Sequence, residues 1–277
     1  MKNILERLLV LICIKDRILE NHYICLMNKR FIISVVLLGH ISICLTQNKT
    51  ERLELPATNI WDVIIEHTGY SSSFNSTLLI PNWVAYELTS EELKGTVRRP
   101  SNSPFQPDPD YQGRQPERGD YSNSGWDKGH LAPCADMKWD ENAMIESFYF
   151  TNICPQDHDF NAKDWEKLEE KARSIAQKKG SLYIICGPVV TKGEYGTLGN
   201  NKVTIPDSFF KAFLYKDSSG YHSIAYLMPN KNTGLPTSNF AMSVNDLEAI
   251  IDLDLFTYLD EKKQESVEAQ LLLSDWE

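Results

Sequence analysis

Hydrophobic and polar positions alternate along the chain with two different periods from about residue 55 onward. Apolar and polar side chains alternate at 82–89 as in a half-buried strand, and unbroken apolar runs are typical of buried strands. A Ser-Ser-Gly sequence at 218–220 separates two further strand-like runs and predicts a hairpin. The pattern therefore predicts strands at 82–89, 147–153, 181–190, 208–217 and 221–229.

Two segments have the longer period of a helix. At 161–180, Trp165, Leu168, Ala172 and Ile175 mark one apolar face, and Gly180 supplies the stop. The segment 243–254 begins with a serine cap and predicts a second helix. Strands joined by both hairpins and helices indicate an α+β fold with a largely antiparallel central sheet flanked by helices.

The 277-residue chain is 42% apolar, enough to bury a sizeable core, and we expect one domain over 47–277. A polar, proline-rich connection at 98–125 interrupts the pattern, and loops of that length are commonly functional or mobile.

The formal net charge is −10. Six of the 28 basic and three of the 38 acidic residues fall in 1–46, so the remainder carries 22 basic and 35 acidic side chains. This excess of acidic side chains argues against a nucleic-acid packaging protein, which would present basic faces. It argues less strongly against an enzyme with a small basic site.

The amino terminus resembles a leader, predicted at 1–46. From Met27, two basic residues precede an apolar stretch of about 14 residues, shorter than the roughly 20 of a membrane span. On this interpretation residues 1–26 are an upstream extension, and Met27 is the functional start of the protein. This pattern predicts a secreted or periplasmic protein without stable membrane association after cleavage, and an uncleaved anchor is the alternative.

Cysteine usage agrees only loosely with export. Cys134, Cys154 and Cys186 remain outside the predicted leader. Three thiols cannot all pair within one chain, and no Cys/His spacing typical of zinc sites occurs, so we interpret them as small buried thiols.

Two polar blocks carry the candidate chemistry. The first is Asp-Lys-Gly-His at 127–130, followed by Leu-Ala-Pro, and the second spans 151–173. A histidine beside a glycine is weak evidence alone, but the second block adds an ordered array of Asn152, Pro155, Gln156, Asn161, Trp165, Leu168 and Glu169. Further segments follow in order at 187–190, 203–213, 225–230 and 243–256.

These motifs together resemble the DNA/RNA non-specific endonucleases, the ββα-metal nucleases that include the sugar-non-specific nucleases and endonuclease G. The resemblance covers about residues 55–265 and implies the ββα-metal nuclease fold. The family's Asp-Arg-Gly-His signature appears here with Lys128 in place of arginine, which keeps the charge but loses the planar bidentate fork.

Phosphodiester hydrolysis needs a base for water and positive charge for the phosphate and the departing O3′. Near neutral pH, His130 suits the role of the base, and Gly129 beside it permits close backbone approach. A hard cation supplies charge and prefers oxygen ligands. We expect Mg²⁺, with Mn²⁺ or another divalent cation as the alternative.

The resemblance implies a role for each remaining residue. Asn161 is the metal ligand, and Glu169 lies about 80° further around an ideal helix, so it holds a metal-bound water instead. Asp127 orients groups, while Lys128 and Arg99 contact the phosphate. Arg98 is the alternative to Arg99, and a solvated loop charge is the alternative for both. Asn152 ties loop backbone together near the site.

The sequence therefore predicts a Mg²⁺-dependent hydrolase that cuts DNA and RNA with little sequence preference, because such a site reads phosphates rather than base edges. A catalytically weakened relative that binds nucleic acid or a protein partner is one alternative, supported by Lys128 and the acidic body. A phosphodiesterase for another phosphorylated substrate is a second. The oligomeric state is not indicated.

Overall fold

A central antiparallel sheet organises the protein, seen in a computed structural model that describes residues 52–60, 62–102 and 104–276. Within these residues the sheet has seven strands in the order β1-β2-β3-β6-β9-β10-β11, and β4-β5 and β7-β8 form two separate pairs. The strands are β1 (Ile64–Glu66), β2 (Ser71–Asn75), β3 (Ile80–Thr89), β4 (Asp127–His130), β5 (Ile153–Gln156), β6 (Ser181–Val189), β7 (Thr197–Leu198), β8 (Val203–Thr204), β9 (Ser208–Asp217), β10 (Gly220–Pro229) and β11 (Ala241–Met242).

The helices pack on both faces of this sheet. They are α1 (Glu141–Glu146), α2 (Glu166–Lys179), α3 (Val244–Ile251) and α4 (Glu261–Glu268). A π-helical segment, Phe160–Trp165, runs directly into α2, and short 3₁₀ turns occur at Glu92–Lys94, Arg118–Tyr121, Phe150–Asn152, Thr237–Phe240 and Leu273–Trp276. All described elements belong to one compact unit, Arg52–Glu277.

Alternation along the strands builds two separate cores, because successive side chains of a strand point to opposite faces. Adjacent strands place Tyr86, Ile184 and Phe213 side by side in the core that also contains the apolar face of α2. The next residues across the same three strands, Ala85, Ile185 and Ala212, belong to the core beneath α3.

A ββα unit packs against the core that contains the apolar face of α2. β4 and β5 pair antiparallel, with Lys128 opposite Pro155 and His130 opposite Ile153. The chain then enters the π-helical segment and α2, whose Leu168 and Ala172 are buried against the sheet. This packing sets the Asp-Lys-Gly-His strand beside the start of the helix.

Most predicted elements are confirmed. β3, β6 and the β9-β10 hairpin lie where the pattern places them. Gly180 ends α2 at a φ of 92°, a value that favours glycine. The Ser243 hydroxyl caps α3 by accepting a hydrogen bond from the Asp246 N–H.

The predicted strand at 147–153 is wrong. This segment contains a 3₁₀ turn, Phe150–Asn152, and β5 begins only at Ile153. The Asn152 amide is buried and bonds to both backbone groups of Ala132 and to the Ser147 carbonyl. These side-chain hydrogen bonds take the place of the backbone bonds of a β-ladder. The apolar run in the sequence therefore reflects burial of the segment and not an extended strand.

No helix in the described residues is long and apolar enough to cross a membrane. The predicted leader at 1–46, including Met27, lies outside the described residues.

Candidate active site

His130 closes β4 with its ring enclosed by aromatic side chains. The Phe148 ring meets it edge-on at 5.0 Å and the Phe105 ring lies at 5.4 Å, both between ring centroids. The Nε2 atom is inaccessible to solvent and has no hydrogen-bond partner among the described residues. One ring nitrogen of His130 is therefore buried and unengaged.

The surroundings of His130 disfavour a charged imidazole. Burial is the main cause and the nearby Arg99 guanidinium the second, and together they lower the pKa of His130 from 6.5 to about 3. The ring is consequently neutral at neutral pH, the state in which a histidine accepts a proton.

A cavity of about 340 Å³ opens beside His130 and gathers residues from distant parts of the chain. Five residues predicted for the site line it, namely Arg99, Lys128, His130, Asn161 and Glu169. Arg98 is not among the lining residues, so the structure places Arg99 at the cavity. Asp127 and Asn152 are not among the lining residues: Asp127 bonds to the Asn161 side chain, and Asn152 bonds to the backbone of Ala132.

Asp127 holds the Asn161 side chain in one orientation. The Asn161 Nδ2 donates to the Asp127 carboxylate at 3.0 Å, and the same carboxylate oxygen lies 2.9 Å from Nδ1 of the exposed His158. A carboxylate only accepts hydrogen bonds, so the amide nitrogen must face Asp127. The carbonyl oxygen of Asn161 is thereby directed away from Asp127.

The π-helical segment changes the predicted relation between Asn161 and Glu169. The estimate of about 80° assumed an α-helix throughout, whereas residues 160–165 are π-helical. Both side chains line the same cavity. Such π turns are frequent at functional sites, and the sequence period gave no sign of this one.

The two cations predicted to contact phosphate are held over aromatic rings. Lys128 Nζ lies 5.5 Å from the centroid of the Phe105 ring and 5.3 Å from that of Tyr121. The Arg99 guanidinium lies 5.2 Å from the Phe148 centroid. Burial lowers the pKa of Lys128, while Asp127 opposes this shift. These contacts fix where the charges sit without neutralising them.

Behind the cavity lies a network of buried charges that sequence reasoning missed. Asp136 is fully enclosed and accepts hydrogen bonds from Arg173 at 3.0 Å and from Tyr86 at 2.9 Å. Lys211 is also fully enclosed, with its ammonium 4.4 Å from the Trp165 ring centroid. Arg173 lines the cavity itself.

This network sets the charge of Glu169. Burial raises the pKa of Glu169 to about 8, Lys211 and Arg173 act to lower it, and Asp136 raises it. Two features of the sequence could have indicated the network. Lys211 interrupts a strand of otherwise buried residues, and Arg173 lies one helical turn after Glu169.

The turn after β4 is fixed from three sides. The indole N–H of Trp165 donates to the His130 carbonyl at 3.2 Å, and Lys211 Nζ donates to the Leu131 carbonyl at 3.3 Å. Asn152 binds both backbone groups of Ala132. The backbone on both sides of the His130 ring is therefore held by buried side chains.

Gly129 is required for packing. A Cβ atom at this position would lie 1.9 Å from Oε1 and 2.1 Å from Cδ of Gln156, which is buried on the neighbouring strand. Any larger residue would therefore have to displace the buried Gln156 side chain.

The donor set of the cavity suits a hard cation. Asn161 offers a carbonyl oxygen and Glu169 its carboxyl oxygens, and Mg²⁺ prefers oxygen ligands. Cys134 is the one thiol among the lining residues, and burial raises its pKa, which disfavours the thiolate that zinc requires.

A sequence model described as DNA/RNA non-specific endonuclease matches residues 48–262. The chain belongs to this family. Among relatives, it is 29% identical to the mitochondrial nuclease EXOG of Homo sapiens over 70% of its length, and 33% identical to the mitochondrial Nuclease 1 of Schizosaccharomyces pombe over 68%. It spans 57% and 64% of those two proteins.

A solved structure confirms the endonuclease fold. The chain superimposes on EndoG, in a structure of the EndoG/EndoGI complex concerned with EndoG inhibition, with a TM-score of 0.69 and 25% identity. The match covers 77% of this chain and 92% of that one. The predicted α+β, ββα-metal nuclease fold is confirmed.

The predicted secreted or periplasmic location of this endonuclease-family chain is wrong. Both relatives are named mitochondrial, which points to mitochondria instead. The interpretation of the apolar stretch after Met27 as an export signal depended on its length and basic flank alone. The three cysteines outside the leader are free thiols, two of them buried.

Proposed function

We propose that the chain is a Mg²⁺-dependent endonuclease that hydrolyses phosphodiester bonds of DNA and RNA without sequence preference. One observation carries the proposal: a single cavity brings together a neutral imidazole, the cations Arg99 and Lys128, and the oxygen donors Asn161 and Glu169, from three separate segments of the chain. Family membership supports the same reaction class.

His130 is the general base in this proposal. Its neutral ring lines the cavity, so the imidazole accepts the proton of the attacking water. Arg99 contributes to the low pKa of His130. A bound phosphate would offset that charge, which favours the imidazolium as the proton is transferred.

Lys128 and Arg99 bind the phosphate oxygens. Their ring contacts hold both charges at the cavity before substrate binds, so the two side chains lose less conformational freedom on binding. Charges of this kind recognise the backbone shared by DNA and RNA and carry no information about base sequence.

Asn161 would hold the cation through its carbonyl oxygen, with Glu169 beside it. When bound, the cation supplies positive charge to the phosphate and to the departing O3′. Asp127 keeps the Asn161 amide from rotating, and Lys211 and Arg173 oppose the burial that raises the pKa of Glu169 to about 8. Both contributions are made by the protein before any ion binds.

The proposal is tested with the purified full chain, supercoiled plasmid and RNA, each with Mg²⁺ or EDTA. We expect Mg²⁺-dependent cleavage of both substrates and at least a hundredfold loss in His130→Ala, the usual order for removing a general base. Lys216→Ala, at an exposed position of β9 that does not line the cavity, is the matched control. Near-normal turnover in His130→Ala would contradict the assigned mechanism.

The weakened-relative alternative gives a different outcome in the same assay. DNA that is retarded in a gel but remains uncut with Mg²⁺ would favour a binding module. Cleavage of neither nucleic acid, with turnover of a small phosphodiester, would favour the other phosphodiesterase. The complete set of His130, Asn161 and Glu169 in one cavity supports the endonuclease over both.

We also propose that the protein acts in mitochondria, because the relatives named above do. Fractionation of cells that express the tagged chain tests this. Recovery of the protein only from the medium would contradict it.

A further inference from the structure

Three carboxylates converge on the opposite side of the sheet from the candidate active site. Glu248 lies on α3, Asp254 follows that helix, and Glu268 ends α4. One oxygen of each lies within 4.8 Å of the others. They are side chains of the layer that covers the second core, whereas His130 and Trp165 lie against the first.

Glu268 shows that this cluster is incomplete. The residue is 2% exposed, and its Oε1 is buried with no hydrogen-bond partner in the part of the chain that the structure describes. An unpaired buried carboxylate oxygen is costly, and native proteins rarely leave one unexplained.

The other two carboxylates are already oriented. The Leu255 N–H donates to Glu248 Oε1 at 2.6 Å, and Gln264 Nε2 donates to Asp254 Oδ1 at 2.6 Å. Each bond occupies one oxygen and fixes the direction of the other. Asp254 is exposed, Glu248 half-buried and Glu268 buried, so the cluster has an open side through which an ion can enter.

We propose that Glu248, Asp254 and Glu268 form a second, structural cation site that binds Ca²⁺. Ca²⁺ takes six to eight oxygen ligands at about 2.3–2.6 Å in flexible geometry, so one ion can bridge oxygens less than about 5 Å apart. Mg²⁺ requires a near-octahedral shell at about 2.0–2.1 Å and keeps its waters, which suits this irregular set of carboxylates less well.

A cation bound at this site would connect the elements that cover the core beneath α3. The Asp254 carbonyl accepts from the Ala57 N–H at 2.8 Å, and the Ser223 hydroxyl of β10 donates to the Val267 carbonyl at 3.0 Å. A bound ion therefore links α3 and α4 to the amino-terminal segment and the sheet. Its effect is on stability and not on the chemistry at His130.

Calorimetric titration with Ca²⁺ tests this site separately from the active site, in full-length Asn161→Ala protein. We expect one bound ion and a higher melting temperature in Ca²⁺ than in EDTA. Adding Glu268→Gln or Asp254→Asn should weaken binding at least tenfold, while Glu265→Gln, an exposed residue on the same helix, should leave it unchanged.

Absence of binding in the Asn161→Ala protein would overturn the proposal, as would binding that both cluster variants leave intact. Mg²⁺ binding as tight as that of Ca²⁺ would overturn the assignment of the ion. If Glu268→Gln does not fold, Asp254→Asn decides, because its exposed side chain can be changed without opening the core. None of these measurements depends on nuclease activity.

Discussion

The Asn161 amide nitrogen donates to the Asp127 carboxylate at 3.0 Å, across 34 residues of sequence. Because the carboxylate accepts only, this contact decides which end of the amide faces the cavity. A residue without a direct part in the reaction thus determines the atom that the proposed metal ligand presents.

Asp127→Asn tests that relationship. An amide at position 127 can donate or accept, so Asn161 would lose its fixed orientation. We expect the Mg²⁺ concentration for half-maximal cleavage to rise about 10- to 100-fold, the usual cost of removing a partner of a metal ligand. Asn161→Ala should shift it further. An unchanged Mg²⁺ titration in Asp127→Asn would contradict the positioning role.

Lys128 differs from the family's arginine, and its replacement separates charge from geometry. Lys128→Ala should lower kcat/KM for plasmid cleavage by at least about tenfold, because one phosphate-contacting charge is lost. Lys128→Arg should equal or exceed the wild type, because its planar fork binds two oxygens. Lys216→Ala, on an exposed strand position, is the control. If Lys128→Ala cleaved as well as the control, phosphate binding by Lys128 would be refuted.

The buried ammonium of Lys211 should be required for stability. Lys211→Met removes the cation that faces Asp136 and Glu169 and leaves their charges unbalanced. We expect the free energy of unfolding to fall by about 3 kcal/mol, as for other broken buried pairs. Urea denaturation followed by tryptophan fluorescence measures it. Lys216→Met should change the free energy of unfolding little. An equal loss in Lys216→Met would contradict a specific stabilising role for the Lys211 ammonium.

His130 should make stability depend on pH. Its folded pKa of about 3 lies below the ordinary 6.5. As pH falls from about 6.5 toward 3, the unfolded chain binds a proton that the folded chain does not, so the free energy of unfolding decreases. In EDTA, His130→Asn should lose less melting temperature between pH 7 and pH 5 than the wild type does.

The exposed His158 provides the comparison for that experiment. His158→Asn should keep the wild-type decrease in melting temperature. If His130→Asn and the wild type changed equally with pH, burial would not be holding the ring neutral.

The sequence by itself determined the main elements and supplied the candidates for the reacting residues. Strand and helix periods predicted β3, β6, the β9-β10 hairpin, α2 and α3, since each buries one side of a regular element. The motif at 127–130 and the array beyond it carried the family resemblance. The prediction of a strand at 147–153 was wrong because buried aromatic residues in a turn give the same sequence pattern as those in a strand.

Only the tertiary structure decided how these residues act together. The π-helical segment places Asn161 and Glu169 at one cavity, and long-range packing encloses the His130 ring nitrogen. The network of Asp136, Arg173 and Lys211 joins three elements that are distant in sequence. Local periodicity records which face of an element is buried, whereas pKa values and hydrogen-bond partners depend on what the folded chain brings against it.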